Sequence, residues 1–371
     1  MTPHRLTRDD AARVAVRAQL LTADRPTDVL DVVRHLTFVQ LDPTRHVAPS
    51  ADLVLWSRIG SSYDPAELRD LLDSLALVDH HMLARPADDL ALYRADMAEW
   101  PGPKPLKPWQ VELRAWVEAN DACRREVLEV LRGDGPLPLS ELPDTCEVPW
   151  RSSGWNHSKN RKMLLANMVE RGEVARAGRG GTGGREVLFD LAERIYPDDP
   201  VPSSDDARRE RDRRRLRSLG IARAKAAQQP IEPLHVGEAG KPAVVEGVKG
   251  TWRVDPVWLD ADSAGGPRTA ILSPLDRLVS DRRRMDELFG FEYHLEMYKP
   301  VEQRRWGYWA MPLLHGHRLV GKLDAVADHD GGELRVDAIH RDGDWTTTCE
   351  DGVRAEVDAL AGWLGLTPVL P

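Results

Sequence analysis

A glutamine and an aspartate lie two residues apart in the stretch Phe38-Val39-Gln40-Leu41-Asp42-Pro43. Residues i and i+2 of an extended segment project to the same side, and a proline disfavours the helical conformation in the residue before it. A carboxylate only accepts hydrogen bonds, whereas an amide donates and accepts, so this pair can hold one water molecule between its side chains. Asp42 would then take a proton from the water while Gln40 orients it, which suits hydrolytic bond cleavage. The ordinary alternative for so short a pattern is a helix end with a capping acid.

Apolar residues at helical spacing predict the elements that position this pair. A first helix is expected over residues 7–21, with Thr7 as N-cap and Asp10 completing a capping box. A second helix opens at Pro26-Thr27-Asp28, and its apolar stripe continues to Val39, so Gln40 is expected at the helix exit. Further helices are expected over residues 51–59 and 64–75. Short helices joined by tight turns predict a helix-turn-helix domain.

A second set of elements follows the proline-rich stretch at residues 101–105. One or two helices are predicted over 109–131, and a basic helix over 156–172. Candidate strands at 173–177 and 186–190 are joined by the glycine-rich stretch 178–184, which suits a hairpin with a flexible tip. Helix, turn, basic helix and hairpin together predict a winged helix, a fold that is used for contacts with proteins as well as with DNA.

The C-terminal third switches to a period of two. Candidate strands are 269–272, 293–298, 306–313, 319–326 and 334–339, followed by an amphipathic helix over 353–364. Before them, residues 207–225 hold nine basic and two acidic residues, a local charge of +7. Such a run is either a solvated helix face or a phosphate-binding surface.

Length and composition limit the class of protein. A chain of 371 residues is expected to form two to four domains. It contains no apolar run of about 18 residues and no apolar signal core at the N-terminus, so a cytoplasmic protein without a membrane span is expected. Three widely spaced cysteines predict neither a disulfide framework nor a cysteine zinc site. No cofactor and no metal are expected.

These patterns predict an α+β fold with helix-turn-helix and winged-helix elements and a small C-terminal β-domain. The expected segments are residues 1–105 with the Gln40/Asp42 motif, 106–200 as the second winged helix, 201–265 as an arginine-rich helix with a winged-helix-like or linker region, and 266–371 as the β-domain with the C-terminal helix.

Several motifs in order resemble one family, the AlkZ/YcaQ DNA glycosylases. Gln40-Leu41-Asp42 is similar to the Gln-apolar-Asp form of its catalytic motif, and Val54-Leu-Trp-Ser-Arg58 is similar to the segment that follows. The most specific similarity is at the C-terminal end, in Leu272-Ser-Pro-Leu-Asp276, Asp281-Arg-Arg-Arg284, Leu288-Phe-Gly-Phe-Glu-Tyr293, Gly307-Tyr308 and Leu319-Val-Gly-Lys-Leu-Asp324.

The resemblance implies an α+β fold of tandem winged helix-turn-helix domains, in which residues 266–371 form a C-terminal antiparallel β-barrel-like domain. It also implies a monofunctional DNA glycosylase that removes N7- or N3-alkylated purines or unhooks crosslinks, with Gln40 and Asp42 as catalytic residues. The implied partner is double-stranded DNA carrying alkylated or crosslinked purines, bound by a monomer in the cytoplasm at the nucleoid. The residues expected to face DNA are Arg45, Arg58, His80, Lys159, Arg161, Lys162, Arg179, Arg282, Arg283 and Arg284.

Two alternatives stay open at this point. A winged-helix regulator would bind DNA without cutting it, and the departures from the family pattern at residues 49–52 and 75–79 favour that alternative. A regulator has no use for the Gln40/Asp42 pair, which favours the enzyme. The net charge of -9 is also compatible with an interaction scaffold.

Overall fold

A computed structural model describes residues 2–152, 154, 156–180, 186–227, 229, 232–259 and 266–371. The fold is mixed α+β, as predicted. The chain divides into two compact units, a first unit of residues 1–68 with 211–371 and a second unit of residues 69–210. Two helices, Pro65–Asp73 and Ser204–Leu219, contain the boundaries between the units. The finer division into four segments stays a prediction.

The first unit combines short helices with two sheets. Its helices are Arg8–Ala18, Val29–Leu36, Ser50–Ile59, Arg277–Ser280, Arg282–Phe289 and Thr347–Leu364, with 3-10 turns at Pro256–Trp258 and Val301–Gln303. Its strands are His4–Leu6, Val39–Gln40, Ile221–Arg223, Lys241–Val245, Trp252–Val254, Thr269–Ile271, Met311–His315, Arg318–Asp328, Glu333–Arg341 and Thr367–Val369.

Local signals fix the ends of the N-terminal helices. The Thr7 hydroxyl accepts a hydrogen bond from the Asp10 amide at 3.1 Å, and the Asp10 carboxylate accepts from the Thr7 amide at 3.2 Å, so the predicted capping box is confirmed. Asp28 caps the second helix, accepting from the Asp31 amide at 2.7 Å. The third helix ends at Ile59, before Gly60, whose φ of 95° suits glycine.

A four-stranded sheet in this unit was missed by the sequence patterns. The N-terminal strand His4–Leu6 pairs parallel with Lys241–Val245, which pairs antiparallel with Trp252–Val254, and that strand pairs with Ile221–Arg223. The strands are three to five residues long, which is too short for a clear alternation. Backbone hydrogen bonds therefore join the two chain segments of the first unit, residues 1–68 and 211–371.

The C-terminal sheet has five strands in sequence order, from Thr269–Ile271 to Thr367–Val369. Three of its pairings are antiparallel, as predicted, but the last strand pairs parallel with Glu333–Arg341. The predicted strand over 293–298 is wrong, because those residues form an irregular loop. The buried Glu296 carboxylate stabilises this loop by accepting from the amides of Arg305 and Trp306 at 2.7 and 2.8 Å.

One hydrophobic core connects the elements of the first unit. It contains side chains of the N-terminal helix, of the four-stranded sheet and of the five-stranded sheet, including Val14, Trp252, Leu272 and Leu314, which are at most 4% exposed. Burying such side chains contributes about 1.5 to 3 kcal/mol each, so this core holds segments from both ends of the chain in place.

The second unit contains the basic helix and hairpin predicted from the sequence. Its helices are Leu90–Ala98, Pro108–Ala119, Asp121–Asp134, Asn160–Glu170 and Ala192–Ile195, with 3-10 turns at Ala87–Asp89 and Leu139–Glu141. Its strands are Leu77–His80, Leu83–Pro86, Leu137–Pro138, Val174–Gly180 and Glu186–Leu191. The last three form a sheet in which Glu186–Leu191 is central. Most of the glycine-rich hairpin tip, residues 181–185, lies outside the described residues.

The arginines of helix Ser204–Leu219 are paired with acids at several positions. Arg208 and Arg209 pair with Asp205 and Asp206 one turn earlier. Arg215 is 3% exposed and donates to Asp212 at 2.6 Å and to Glu232 at 2.8 Å. These contacts support the reading of this run as a structural, partly solvated helix. No helix in the described part of the chain is long and apolar enough to cross a membrane.

Candidate active site

The Gln40/Asp42 pair lies on extended chain directly after a short helix. The helix Val29–Leu36 ends three residues earlier than its apolar stripe suggested, because Thr37 adopts a left-handed conformation with φ of 69°. Val39–Gln40 is a two-residue strand, and residues 41–45 belong to no helix. Both motif side chains are half-buried. The two-residue spacing on extended chain allows them to face one side.

Asp42 is held by one of its carboxylate oxygens. Its Oδ1 atom accepts a hydrogen bond from the Thr44 amide at 2.9 Å, which closes a turn around Pro43. Within the residues that the structure describes, Asp42 makes no other hydrogen bond or ion pair. The next helix begins at Ser50 with Pro49 as its N-cap, so Asp42 does not cap a helix. One oxygen therefore fixes the carboxylate, and the other is left to accept a proton.

A buried arginine anchors the chain just before the motif. Arg277 donates to the Leu36 carbonyl and, at 2.6 Å, to the Thr37 hydroxyl. Its guanidinium also lies 4.4 Å from the centre of the Phe38 ring. Thr37 is 6% exposed and Arg277 is 8% exposed. This contact stabilises the left-handed turn at Thr37 and so sets the direction in which the motif leaves the helix.

A buried polar network also contacts the Leu36 carbonyl that Arg277 binds. Arg58 and Asp276 are both 0% exposed and form a two-pronged ion pair, with Nη2 donating to Oδ1 at 3.0 Å and Nη1 donating to Oδ2. Arg58 Nε also donates to the Gln19 carbonyl at 3.1 Å. The Gln19 side-chain amide donates to the Ser218 carbonyl at 2.6 Å, and the Ser218 hydroxyl donates to the Leu36 carbonyl at 3.3 Å. The network thereby connects four distant segments to the end of the motif helix.

This burial corrects two predicted DNA contacts. Arg58 has no exposed surface, and its donors are used by Asp276, Gln19 and backbone carbonyls, so it cannot reach a phosphate. Arg284 is 2% exposed and donates to the carbonyls of Ile221 and Leu219 at 2.9 and 2.7 Å. Burial lowers the pKa of Arg284 to about 10. Both arginines hold the fold together.

The other predicted arginines of the first unit differ in exposure. Arg282 is half-buried, donates to the carbonyls of Val279 and Pro274, and lies 4.4 Å from the centre of the Tyr293 ring. Burial lowers its pKa. Arg283 is exposed and pairs with Glu287 at 3.0 Å, and Arg45 is exposed in the loop after the motif. Arg45 and Arg283 therefore stay candidates for phosphate contact.

In the second unit, the predicted basic residues lie on the helix Asn160–Glu170, at its start and on the hairpin. Lys159 and Arg179 are exposed. Arg161 is half-buried and donates to the carbonyls of Ser140 and Leu142 at 3.0 and 2.7 Å, while Lys162 donates to the Asn156 side chain at 3.3 Å. Arg161 thus joins its helix to the preceding turn.

His80 does not lie on the surface of the second unit. It is 5% exposed, and its ring lies among those of His81, Tyr93 and Tyr196, at centroid distances of 4.1, 5.3 and 6.4 Å. Direct contact of this ring with DNA is therefore a wrong prediction, and the histidine packs in an aromatic cluster. Neighbouring Asp79 pairs with Arg176 at 2.6 Å. Across the described residues, no group of three or more His, Cys, Asp or Glu side chains is arranged to hold a metal ion.

The loop after the motif packs on the long strand of the C-terminal sheet. The Ala327 amide donates to the His46 carbonyl at 3.1 Å, and the His46 ring lies 4.8 Å from the Tyr308 ring. Burial lowers the pKa of His46, which favours the neutral imidazole. Sequence reasoning missed these supports, although Tyr308 stands in one of the motifs that carried the family resemblance. Its side-chain contact with His46 is not visible in the sequence.

Comparisons with known proteins identify the family of this chain. The chain matches a family model described as DNA glycosylase AlkZ-like over residues 33–363. Among solved structures it is similar to the Streptomyces sahachiroi DNA glycosylase AlkZ, with a TM-score of 0.65 and 17% sequence identity, over 99% of this chain and 100% of that chain. At that identity the structural match shows a shared fold, whereas the family model spans most of the chain. This protein therefore belongs to the family of AlkZ-like DNA glycosylases.

Proposed function

We propose that this protein is a monofunctional DNA glycosylase that hydrolyses the N-glycosidic bond of N7- or N3-alkylated purines. The observation that carries the proposal is the Gln40/Asp42 pair on extended chain, in which the Thr44 amide holds one Asp42 oxygen. Membership of the AlkZ-like family supports the same reaction class. A regulator that only binds DNA would have no need for this arrangement.

The chemistry suits a single carboxylate. An alkylated purine carries a positive charge, so its bond to the sugar breaks without strong protonation of the base. The protein has to stabilise the positively charged sugar and to deliver water. Asp42 performs both tasks, and Gln40 orients the water. The motif contains no lysine for a Schiff base, which supports hydrolysis without strand cleavage. An interstrand crosslink through purine nitrogens would be unhooked by the same step.

We infer that duplex DNA is bound by tandem winged helix-turn-helix domains and by the five-stranded C-terminal sheet. In the second unit, the supporting observations are the helix Asn160–Glu170 and the hairpin of Val174–Gly180 with Glu186–Leu191. Exposed basic side chains that remain after the corrections above are Arg45, Lys159, Arg179 and Arg283. The proposed form is a monomer that acts on chromosomal DNA in the cytoplasm.

The direct test is release of base from damaged DNA. We expect the protein to release N7-methylguanine from a duplex that carries it and to release nothing from the undamaged duplex of the same sequence. Chromatography of the released base measures the reaction, and alkali treatment of the product shows the abasic site. Tight duplex binding without base release would contradict the proposal and favour the regulator.

Salt dependence tests the proposed DNA contacts. Replacing Lys159 or Arg179 by glutamine is expected to weaken duplex binding and to lower the log-log salt slope by roughly 0.9 for each phosphate contact removed. Arg114, an exposed arginine of the same unit that pairs with Glu118, supplies the matched control, and Arg114→Gln should leave the slope unchanged. The measurement is fluorescence anisotropy across a salt series. Slopes that match wild type in both test variants would remove these residues from the interface.

A further inference from the structure

Asp324 occupies an irregular position in the longest strand of the C-terminal sheet. The strand Arg318–Asp328 pairs with Glu333–Arg341, and the register shifts between Asp324 and Ala325. A bulge of this kind bends the strand and redirects a side chain, and such bulges are frequent beside active sites. The bulge thus gives Asp324 an orientation that a regular strand would not.

The Asp324 carboxylate is half-buried and has no partner of its own. Within the described part of the chain it makes no hydrogen bond and no ion pair. It lies against the backbone of Gly307, where a Cβ atom would come within 2.1 to 2.2 Å of the three carboxylate atoms. Gly307 has a φ of 115°, so its backbone conformation and this close approach both favour glycine. Half-buried carboxylates without partners are costly, which makes this one a candidate for binding a ligand.

The glycine against which this carboxylate lies is followed by an aromatic residue. Tyr308 follows Gly307 directly, and its ring lies 4.8 Å from that of His46. The guanidinium of Arg304 lies 5.0 Å from the centre of the Tyr308 ring, so the chain itself places a cation on this aromatic face. Arg304 also acts electrostatically on Asp324, and an aromatic face together with a carboxylate is chemistry that recognises flat, positively charged groups.

This cluster adjoins the catalytic motif. The His46 carbonyl accepts from the amide of Ala327, three residues beyond Asp324, at 3.1 Å. His46 is four residues from Asp42, so their Cα atoms are at most about 14 Å apart. This short separation is compatible with a nucleotide at Asp42 whose base reaches the cluster.

The charges around Asp324 favour the binding of a positively charged ligand. Burial raises the pKa of Asp324, and Asp337 raises it further, while His340 and Arg304 oppose these effects only in part. A positively charged ligand would favour the ionised carboxylate and relieve the repulsion from Asp337.

We propose that Asp324, together with the ring faces of Tyr308 and His46, recognises the positive charge of the alkylated purine. Asp324 is in this view a specificity-determining residue, distinct from Asp42, which acts on the sugar and the water. The inference rests on the proposed function, because the cationic base is the substrate proposed there. The inference goes beyond the proposed function by naming the residue that distinguishes an alkylated purine from an undamaged one.

The test compares two duplexes that differ only in charge at one base. One contains N7-methylguanine on a 2′-fluoroarabino sugar, which resists hydrolysis, and the other contains neutral 7-methyl-7-deazaguanine on the same sugar. Wild type is expected to bind the cationic duplex roughly tenfold more tightly, the size of one ion pair with a cation–π contact. Asp324→Asn should bind both duplexes equally while retaining the affinity of wild type for undamaged DNA.

The exposed neighbour Asp337 is the matched control. It pairs with Arg335 at 2.8 Å, and Asp337→Asn should keep the preference for the cationic duplex. If Asp324→Asn does not fold, as judged by circular dichroism, Tyr308→Leu takes its place and should reduce the preference.

A preference that survives Asp324→Asn, or Tyr308→Leu in its place, would overturn the inference. Loss of the preference in Asp337→Asn to the same degree would also overturn the inference, since the preference would then come from the summed electrostatic field of the surrounding acidic residues. Wild type that releases N7-methylguanine yet shows no preference would refute the inference alone. Absence of both release and preference would refute the proposed function with it.

Discussion

Replacing Asp42 by asparagine is expected to slow the single-turnover release of N7-methylguanine by about two to three orders of magnitude, the usual effect of removing one positioned group in such a site. The physical reason is the loss of both the charge that stabilises the sugar cation and the base that accepts the water proton. Asparagine keeps a side-chain oxygen that accepts from the Thr44 amide, which lies 2.9 Å from Asp42 Oδ1. The turn should therefore remain, and the loss should be chemical.

Gln40→Glu is the matched comparison within the same motif. It keeps a group that binds water and changes little in size, so its effect should be smaller than that of Asp42→Asn. Thermal unfolding of both variants should follow that of wild type, because neither side chain lies in the buried network. Equal rates for Asp42→Asn and wild type would show that Asp42 is not the base, and the mechanism would have to be abandoned.

The features that sequence predicted well depend on neighbouring residues. The capping box of Thr7 and Asp10, the start of the second helix after Pro26-Thr27-Asp28 and the helix end before Gly60 each depend on residues at most a few positions apart, and all three appear in the structure. The two strands of the hairpin were predicted for the same reason. The alternation of apolar and polar residues and the turn residues between the strands lie close together in the chain. Their pattern can therefore be recognised in the sequence without knowledge of the fold.

Contacts between distant residues explain what the sequence did not show. The strand His4–Leu6 is three residues long and pairs with residues 243–245. Residues 293–298 alternate as a strand does, yet the Glu296 carboxylate binds the amides of Arg305 and Trp306 and fixes a loop. Long-range pairings like these leave no local pattern.

For the candidate site, the sequence singled out the Gln40/Asp42 pair but assigned several supporting residues the wrong task. Arg58 lies in a segment similar to the family, and the resemblance led to its prediction as a DNA contact. Its partner Asp276 lies 218 residues away, so the ion pair that buries it could not be read from the sequence. Arg277 was not singled out at all, although it holds Thr37 at the start of the motif. The candidate catalytic residues are neighbours in the sequence, whereas the residues that hold them in place come from distant segments of the chain.

Breaking the Arg58–Asp276 pair is expected to lower the free energy of unfolding by about 3 to 5 kcal/mol, because removal of one partner leaves a buried charge uncompensated. Both side chains are 0% exposed, so water cannot replace the lost partner. Arg58→Met should therefore remove much of the stability of a domain, which is typically about 5 to 15 kcal/mol. Urea unfolding followed by circular dichroism measures the change. An exposed control is Arg13→Met, whose pairs with Asp9 and Asp10 lie at the surface and should contribute less than about 1 kcal/mol.

The double variant Arg58→Met with Asp276→Leu separates burial of charge from simple loss of packing. Removing both charges should recover part of the stability lost in Arg58→Met, since no unpaired charge remains and two apolar side chains replace the pair. Recovered stability need not restore base release, because Asp276 also caps the helix that carries Arg277, and Arg277 orients Thr37 before the motif. If Arg58→Met were no more destabilising than Arg13→Met, the buried pair would not hold the motif in place, and the positioning of Gln40 and Asp42 would have to be assigned to the hydrophobic core alone.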